Sequence, residues 1–219
     1  MAIVLNGSAN TIGGVAAGGI NDNVVDNGTM ADDAIGVAEL SATGTASSST
    51  FLRGDNSWAA VTSGLTEADV WRVNAHTTSD GGGLTLTANW ERCDTDGFSK
   101  LGTGMTESSG VFTFPSTGYW EISFYGYCND TSSSHTTGGH ISPTVDNGSN
   151  YTTATSSYFT VPNVGTYSYG SFYNSCIFDV TDTSTHKTRF YVYSSGDVTW
   201  EGSSTANALC AVFKKLGDT

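Results

Sequence analysis

Apolar residues follow different rules on either side of residue 60. Before it, Ile12, Val15, Ile20, Val24, Val25, Met30, Ile35, Val37 and Leu40 recur every few residues between turn-like Asn, Asp and Gly clusters. Few and small, they cannot close a core within one chain. The spacing predicts short extended rungs whose apolar side chains meet those of neighbouring chains. A disordered linker and a short helix through residues 30–42, capped by Thr29, remain as alternatives.

After residue 60 the pattern has a period of two. "DVWRVNAHT", "GLTLTANW", "GVFTFP", "GYWEISFYGYC", "TYSYGSFYNSCIFDV", "TRFYVYSS", "DVTWEG" and "ALCAVFKKL" are rich in β-branched and aromatic residues and are predicted strands. From Gly118 to Asn129, Tyr119, Glu121, Ser123, Tyr125 and Tyr127 fall on one face, and Trp120, Ile122, Phe124 and Cys128 on the other. One apolar and one mixed face is the signature of a strand in a sandwich. About eight strands at such spacing predict an all-β sandwich, barrel or jelly roll. The boundary is placed at residues 61/62, with an extended N-terminal region 1–61 and a head 62–219.

Composition supports the division. Residues 1–57 hold no Trp, Tyr, Pro or Cys, and Phe51 is their single Phe. Charged residues make up 13% of the 219, about half the usual share; Gly, Ser, Thr and Asn fill the gap. The net charge of −13 reads against a nucleic-acid or anionic-membrane partner. No apolar run approaches the roughly 20 residues of a membrane-spanning helix. "MAIVLNGSAN" lacks a basic n-region and a long apolar stretch, which reads against a signal peptide. Cys93, Cys128, Cys176 and Cys210 lie far apart in sequence, which suits small core hydrophobes of a chain made in a reducing cytosol.

Two stretches resemble known families. "ELSATGTASSSTFLRGDNSWAAV", Glu39 to Val61, resembles a stretch that recurs in bacteriophage tail-fibre proteins before their distal domain, where it belongs to a trimeric shaft. "SSGVFTFPSTGYWEISFYGY", Ser108 to Tyr127, resembles the centre of the C1q/TNF-like jelly roll, with Gly110, Phe112, Thr113, Pro115, Gly118 and Tyr119 as its motif. The chain departs from that family at its usual Gly-Asp turn, here "VTDTSTHK", and at its closing strand, here "ALCAVF". Together the resemblances imply an extended trimeric shaft segment followed by an antiparallel jelly-roll head. They also imply a homotrimer carried on a virion, made in the host cytoplasm. Gly110 and Gly118 suit positive φ, and Pro115 suits a strand end.

Candidate chemistry is sparse. Arg53-Gly54-Asp55 reads either as an adhesion tripeptide or, more plainly, as a turn with Gly54 at the special position and Asp55 or Asn56 capping it. Phe51, Leu52 and Trp58 then pack around it as a shaft–head joint. His135 and His140 in "HTTGGH" read as metal ligands only if a third ligand such as Asp130 joins them, so a solvated loop is the simpler reading. Asp130, Asp179 and Asp182 are oxygen ligands for calcium in type, without the dense loop that would specify it. GxSxG, HExxH, P-loop and GxGxxG patterns are absent from the sequence, and no carboxylate pair is singled out, so the head is expected to be non-catalytic. Asn129 to Phe159 is read as a long polar loop. Its His135, His140, Asn150, Tyr151 and Tyr158 combine aromatic faces with hydrogen-bonding groups, as a host-surface glycan site requires. The expected role is therefore a virion fibre attached to the particle by residues 1–61, with a glycan-binding head. A capsid or tail decoration protein without receptor binding is the alternative, and a secreted C1q-like lectin a third reading.

Overall fold

The computed structural model describes residues 40–60, 64–95, 97, 99–131 and 133–219, together with the backbone of two short N-terminal strands. The chain divides into two units, Met1–Ser63 and Gly64–Thr219. The rungs expected from Val15 to Val37 and most of the candidate helix lie outside the described residues.

In the first unit β1 (Val4–Asn6) pairs antiparallel with β2 (Thr11–Gly13), which contains Ile12. The joint motif forms a hairpin of β3 (Thr50–Leu52) and β4 (Trp58–Ala60). Its turn is closed by Arg53 N–H donating to the Ser57 carbonyl at 2.9 Å and Asn56 N–H to the Arg53 carbonyl at 3.0 Å. Asp55 caps the turn, accepting from the Ser57 N–H at 3.2 Å and hydroxyl at 2.6 Å. The left-handed position falls on Asn56, φ 60°, rather than on Gly54. Asparagine tolerates this conformation better than most residues, and its Nδ2 donates to the distant Ser41 carbonyl at 2.7 Å. Phe51 and Leu52 do not pack around the turn as expected but stand exposed. A two-stranded ribbon with exposed apolar residues is marginal by itself.

The second unit contains β5 (Ala68–Val73), β6 (Thr77–Thr85), β7 (Trp90–Arg92), β8 (Thr106–Ser108), β9 (Val111–Thr113), β10 (Gly118–Asp130), β11 (His135–Thr144), β12 (Thr155–Val161), β13 (Ser168–Val180), β14 (Lys187–Trp200) and β15 (Leu209–Gly217). All its ladders are antiparallel. One layer runs β7–β5–β15–β10–β13. The other runs β12–β11–β14, with β9 and β6 sharing the far edge of β14 and β8 extending β9. The layers join where Cys128 and Asn129 pair with Trp200 and Thr199. Two predicted strands, "TRFYVYSS" and "DVTWEG", are one strand, β14, interrupted by a register shift between Ser194 and Asp197. The segment read as a loop from Asn129 to Phe159 contains all of β11 and most of β12.

Alternation makes the core. Trp120, Ile122 and Phe124 of β10 and Phe190 and Val192 of β14 are fully buried. Phe112 of β9 lies at the centre, its ring 5.0–5.5 Å from those of Trp71, Trp90, Phe190 and Phe213. The edge-to-face pairs with Trp71, Trp90 and Phe190 contribute about 0.5–1.5 kcal/mol each beyond their burial. Cys93, Cys128 and Cys210 are buried free thiols and Cys176 is partly buried. Gly110 (φ 79°) follows Ser109 (φ 53°) in the two-residue turn between β8 and β9. Both residues need the left-handed region there, and a Cβ on Gly110 would lie 2.1 Å from the Leu86 carbonyl oxygen. Gly118 also has positive φ (134°) and opens β10. Pro115 lies between β9 and β10, outside any ladder.

Candidate functional site

β11, β12 and β14 build a ring-lined surface on the outer side of their layer. Phe190 and Val192 point into the core, so the alternating Arg189, Tyr191 and Tyr193 point out. Gly138 and His140 of β11 lie opposite Tyr193 and Tyr191, and Tyr158 of β12 lies opposite Gly138 from the other side. Gly138 thus has a tyrosine on each flank. With no side chain between them, the rings of Tyr158 and Tyr193 meet edge to face at 5.8 Å. A Cβ on Gly138 would come within 2.3 Å of the Ser157 carbonyl oxygen and 2.9 Å of the Tyr158 ring. Gly83 of β6 serves Tyr191 likewise: a Cβ there would lie 1.3 Å from the tyrosine oxygen.

His140 is clamped between Tyr158, at 5.3 Å, and Tyr191, at 4.9 Å, both nearly perpendicular to it. It is 8% exposed, and its buried Nε2 has no hydrogen-bond partner among the described residues. Burial lowers its pKa from the ordinary 6.5, because a charged ring would lose its water. The imidazole is therefore neutral at pH 7, and the row Tyr191–His140–Tyr158–Tyr193 is uncharged. Beside it, Tyr151 covers the Arg189 guanidinium at 3.8 Å. Such a surface offers aromatic rings with hydroxyl and guanidinium groups at their edges.

The structure separates the five residues expected to act together. His140 and Tyr158 touch, while Tyr151 packs on Arg189. Asn150 is engaged within its own turn, donating from Nδ2 to Asp146 Oδ2 at 2.7 Å and from its N–H to Oδ1 at 2.9 Å. His135 lies at the other end of β11, 3.3 Å from Asp130. His135 and His140 stand on a strand rather than in a loop, and among the described residues no three His, Cys, Asp or Glu side chains group to hold a metal ion. Asp182, a candidate calcium ligand, accepts instead from the Ser184 N–H and hydroxyl. The sequence reading missed Arg189, Tyr191 and Tyr193, although "RFYVY" already alternates outward and inward positions.

The opposite side of the sandwich carries a broader aromatic face. Tyr119 and Tyr127 of β10 and Tyr169, Tyr173 and Ile177 of β13 are exposed. Tyr125 stacks on Tyr173, directly across the ladder, with centroids 6.4 Å apart. Tyr127 meets Tyr169 at 6.1 Å. Small hydroxyl residues fill the gaps, with Ser123 Oγ 3.1 Å from the Tyr173 hydroxyl.

No protein-family model matches the chain, and no curated protein sequence matches it. Solved structures do. Eiger TNF from S. frugiperda aligns with a TM-score of 0.53 at 13% identity, covering 69% of this chain and 93% of that one. Murine APRIL aligns with a TM-score of 0.47 at 13% identity, covering 68% and 99%. The head is a TNF-like jelly roll. At this identity the likeness concerns the backbone path alone, so the tyrosine-lined surfaces of this jelly roll are argued from its own residues.

Proposed function

We propose that the chain is the subunit of a homotrimeric virion fibre whose jelly-roll head holds a host-surface glycan without turning it over. The observation that carries this reading is the Tyr191–His140–Tyr158–Tyr193 row, an ordered, uncharged aromatic surface on an otherwise acidic protein. A jelly roll needs no such row for its own core, which is already filled by Phe112, Trp120 and Phe190. The second aromatic face, on β10 and β13, suits contact with neighbouring copies: it is broad and rich in tyrosine, with serine hydroxyls between the rings, as subunit interfaces are enriched in aromatic residues. Exposed Phe51 and Leu52 fit the same assembly, because a small hairpin gains its missing cover from other chains. The phage-like joint supports a place on a particle, attached by the N-terminal region. Many copies on one particle make weak individual contacts sufficient.

The test uses the full-length protein, fluorescently labelled, on intact host bacteria. It is expected to bind the cells, to be displaced by their purified surface polysaccharide and to block infection in excess. Protein that decorates the capsid lattice in micrographs, and neither binds cells nor blocks infection, would make the chain a decoration protein instead.

A further inference from the structure

The core does not end as it begins. Along β14, the inward positions run Phe190, Val192 and then Ser194; along β13, Phe172, Gly170 and Ser168; along β10, Phe124, Gly126, Cys128 and Asp130. At this level small hydroxyl groups and a carboxylate stand beside the Trp200 ring, and Ser168, Ser194, Asp130 and Ser79 are more than nine-tenths buried. Polar groups at core positions are costly unless they serve a purpose. Some serve one another. Ser79 and Ser194 hydroxyls lie 2.6 Å apart, Trp200 Nε1 donates to Ser79 at 3.1 Å, and Asp130 accepts from His135 and the Ser133 N–H at 3.3 Å each. Ser168 lies directly across the ladder from Asp130, and its buried hydroxyl has no hydrogen-bond partner among the described residues.

A cleft of about 400 Å³ opens at this level, lined by Thr78, Ser79, Asp80, Asn129, Asp130, Thr131, Asp197, Val198 and Thr199. Its volume lies in the range of small-molecule sites, roughly 300–1,000 Å³. Asp80 and Asp197 face each other directly in the β6–β14 register. Like charges in that position repel and destabilise a sheet, and neither carboxylate has a hydrogen-bond or ion-pair partner among the described residues. The cleft therefore combines carboxylates that accept hydrogen bonds with hydroxyl groups that both donate and accept. It has no Lys, Arg or aromatic lining, and its acidic residues are not grouped to chelate one ion.

We propose that this cleft binds a neutral sugar residue through its hydroxyl groups, with Asp80 and Asp197 as acceptors and Thr78, Thr131 and Thr199 completing the ring of contacts. Anionic sugars are repelled by the facing carboxylates of Asp80 and Asp197. The site deepens the glycan-binding reading and rests on it for its biological role. It is physically separate from the tyrosine row, lying beyond the Ser194–Asp197 register shift of β14. A glycan chain would thus be read twice, by stacking on the row and by hydroxyl bonding in the cleft.

Saturation-transfer NMR on the full-length protein, with glucose, galactose, mannose, glucosamine and glucuronic acid as probes, tests the site. At least one neutral hexose is expected to bind. Its affinity should fall about tenfold or more in Asp80→Asn and in Asp197→Asn, since bonds to charged acceptors are the strong ones. Both positions are exposed, and removing one of two facing charges should leave the melting temperature unchanged or raised, which separates lost binding from lost folding. Hexose binding that survives Tyr158→Ala but not Asp197→Asn supports the cleft even if the row proves silent. Hexose binding lost only in Tyr158→Ala overturns the cleft and leaves the host-glycan reading intact. Binding of glucosamine or glucuronic acid alone, or of no probe, also overturns it.

Discussion

Tyr158 and Tyr193 sit on two different strands, both opposite Gly138, and their rings meet at 5.8 Å and 80° across a residue that has no side chain. The glycine is a steric requirement of the surface it lies beneath. Gly138→Ala would press a methyl group into the Ser157 carbonyl and the Tyr158 ring. We expect a loss of about 1–3 kcal/mol, the usual cost of overpacking, in chemical denaturation, together with loss of sugar binding at the row.

Gly138 and its neighbour Gly139 explain why this region was hard to read from sequence. "HTTGGH" looks like a turn, since Gly, Thr and Ser usually punctuate strands. Here Gly138 makes room for Tyr158, and a Cβ on Gly139 would lie 2.1 Å from the Phe172 ring. Both glycines are set by tertiary contacts that no local pattern reports. By contrast, the alternation from Gly118 to Cys128 places the core residues Trp120, Ile122, Phe124 and Cys128 on one face of β10 and the more exposed Tyr119, Glu121, Tyr125 and Tyr127 on the other; Ser123 departs from it, buried on the outer face. The TNF-like fold was legible in the Gly110–Tyr119 motif, while half of the tyrosine row was not, since it assembles from three strands distant in sequence.

His140 makes stability depend on pH. Its folded pKa lies below the ordinary 6.5, so between the two values the unfolded chain holds more protons than the folded one. Stability from this residue is complete above about pH 6.5 and is lost as pH falls below it. In His140→Phe the midpoint of urea unfolding should change less between pH 7 and pH 5 than in the wild type.

Asp146 titrates in the opposite sense and lower down. Hydrogen bonds from the Thr144 hydroxyl, then from the Asn150 backbone and side chain, hold its carboxyl near 2, below the ordinary 3.8. Its contribution is present above about pH 4 and is lost as pH falls through about 2. The Asn150 amide resonance should titrate with a midpoint near 2, and Asp146→Ala should abolish that transition.

Phe112 joins four aromatic rings at the centre of the core. Phe112→Ala should cost about 3–5 kcal/mol, the range for deleting a buried ring, read as a lowered midpoint of thermal or chemical unfolding.

The broad tyrosine face is assigned to contact between copies. Light scattering should give the full-length protein a mass near three times 22.8 kDa. Tyr173→Arg, which adds a charge to an exposed position of that face, should shift the mass toward one copy while the circular dichroism of the head is kept.

The central claim is that the tyrosine–histidine row holds a host-surface glycan. Its most direct test compares binding of wild-type protein and the double variant Tyr158→Ala/Tyr193→Ala to intact host cells, with mass and melting temperature measured on the same samples. The account predicts a loss of about tenfold or more (about 1.4 kcal/mol), with the trimer retained. Equal binding by a folded, trimeric double variant would contradict it.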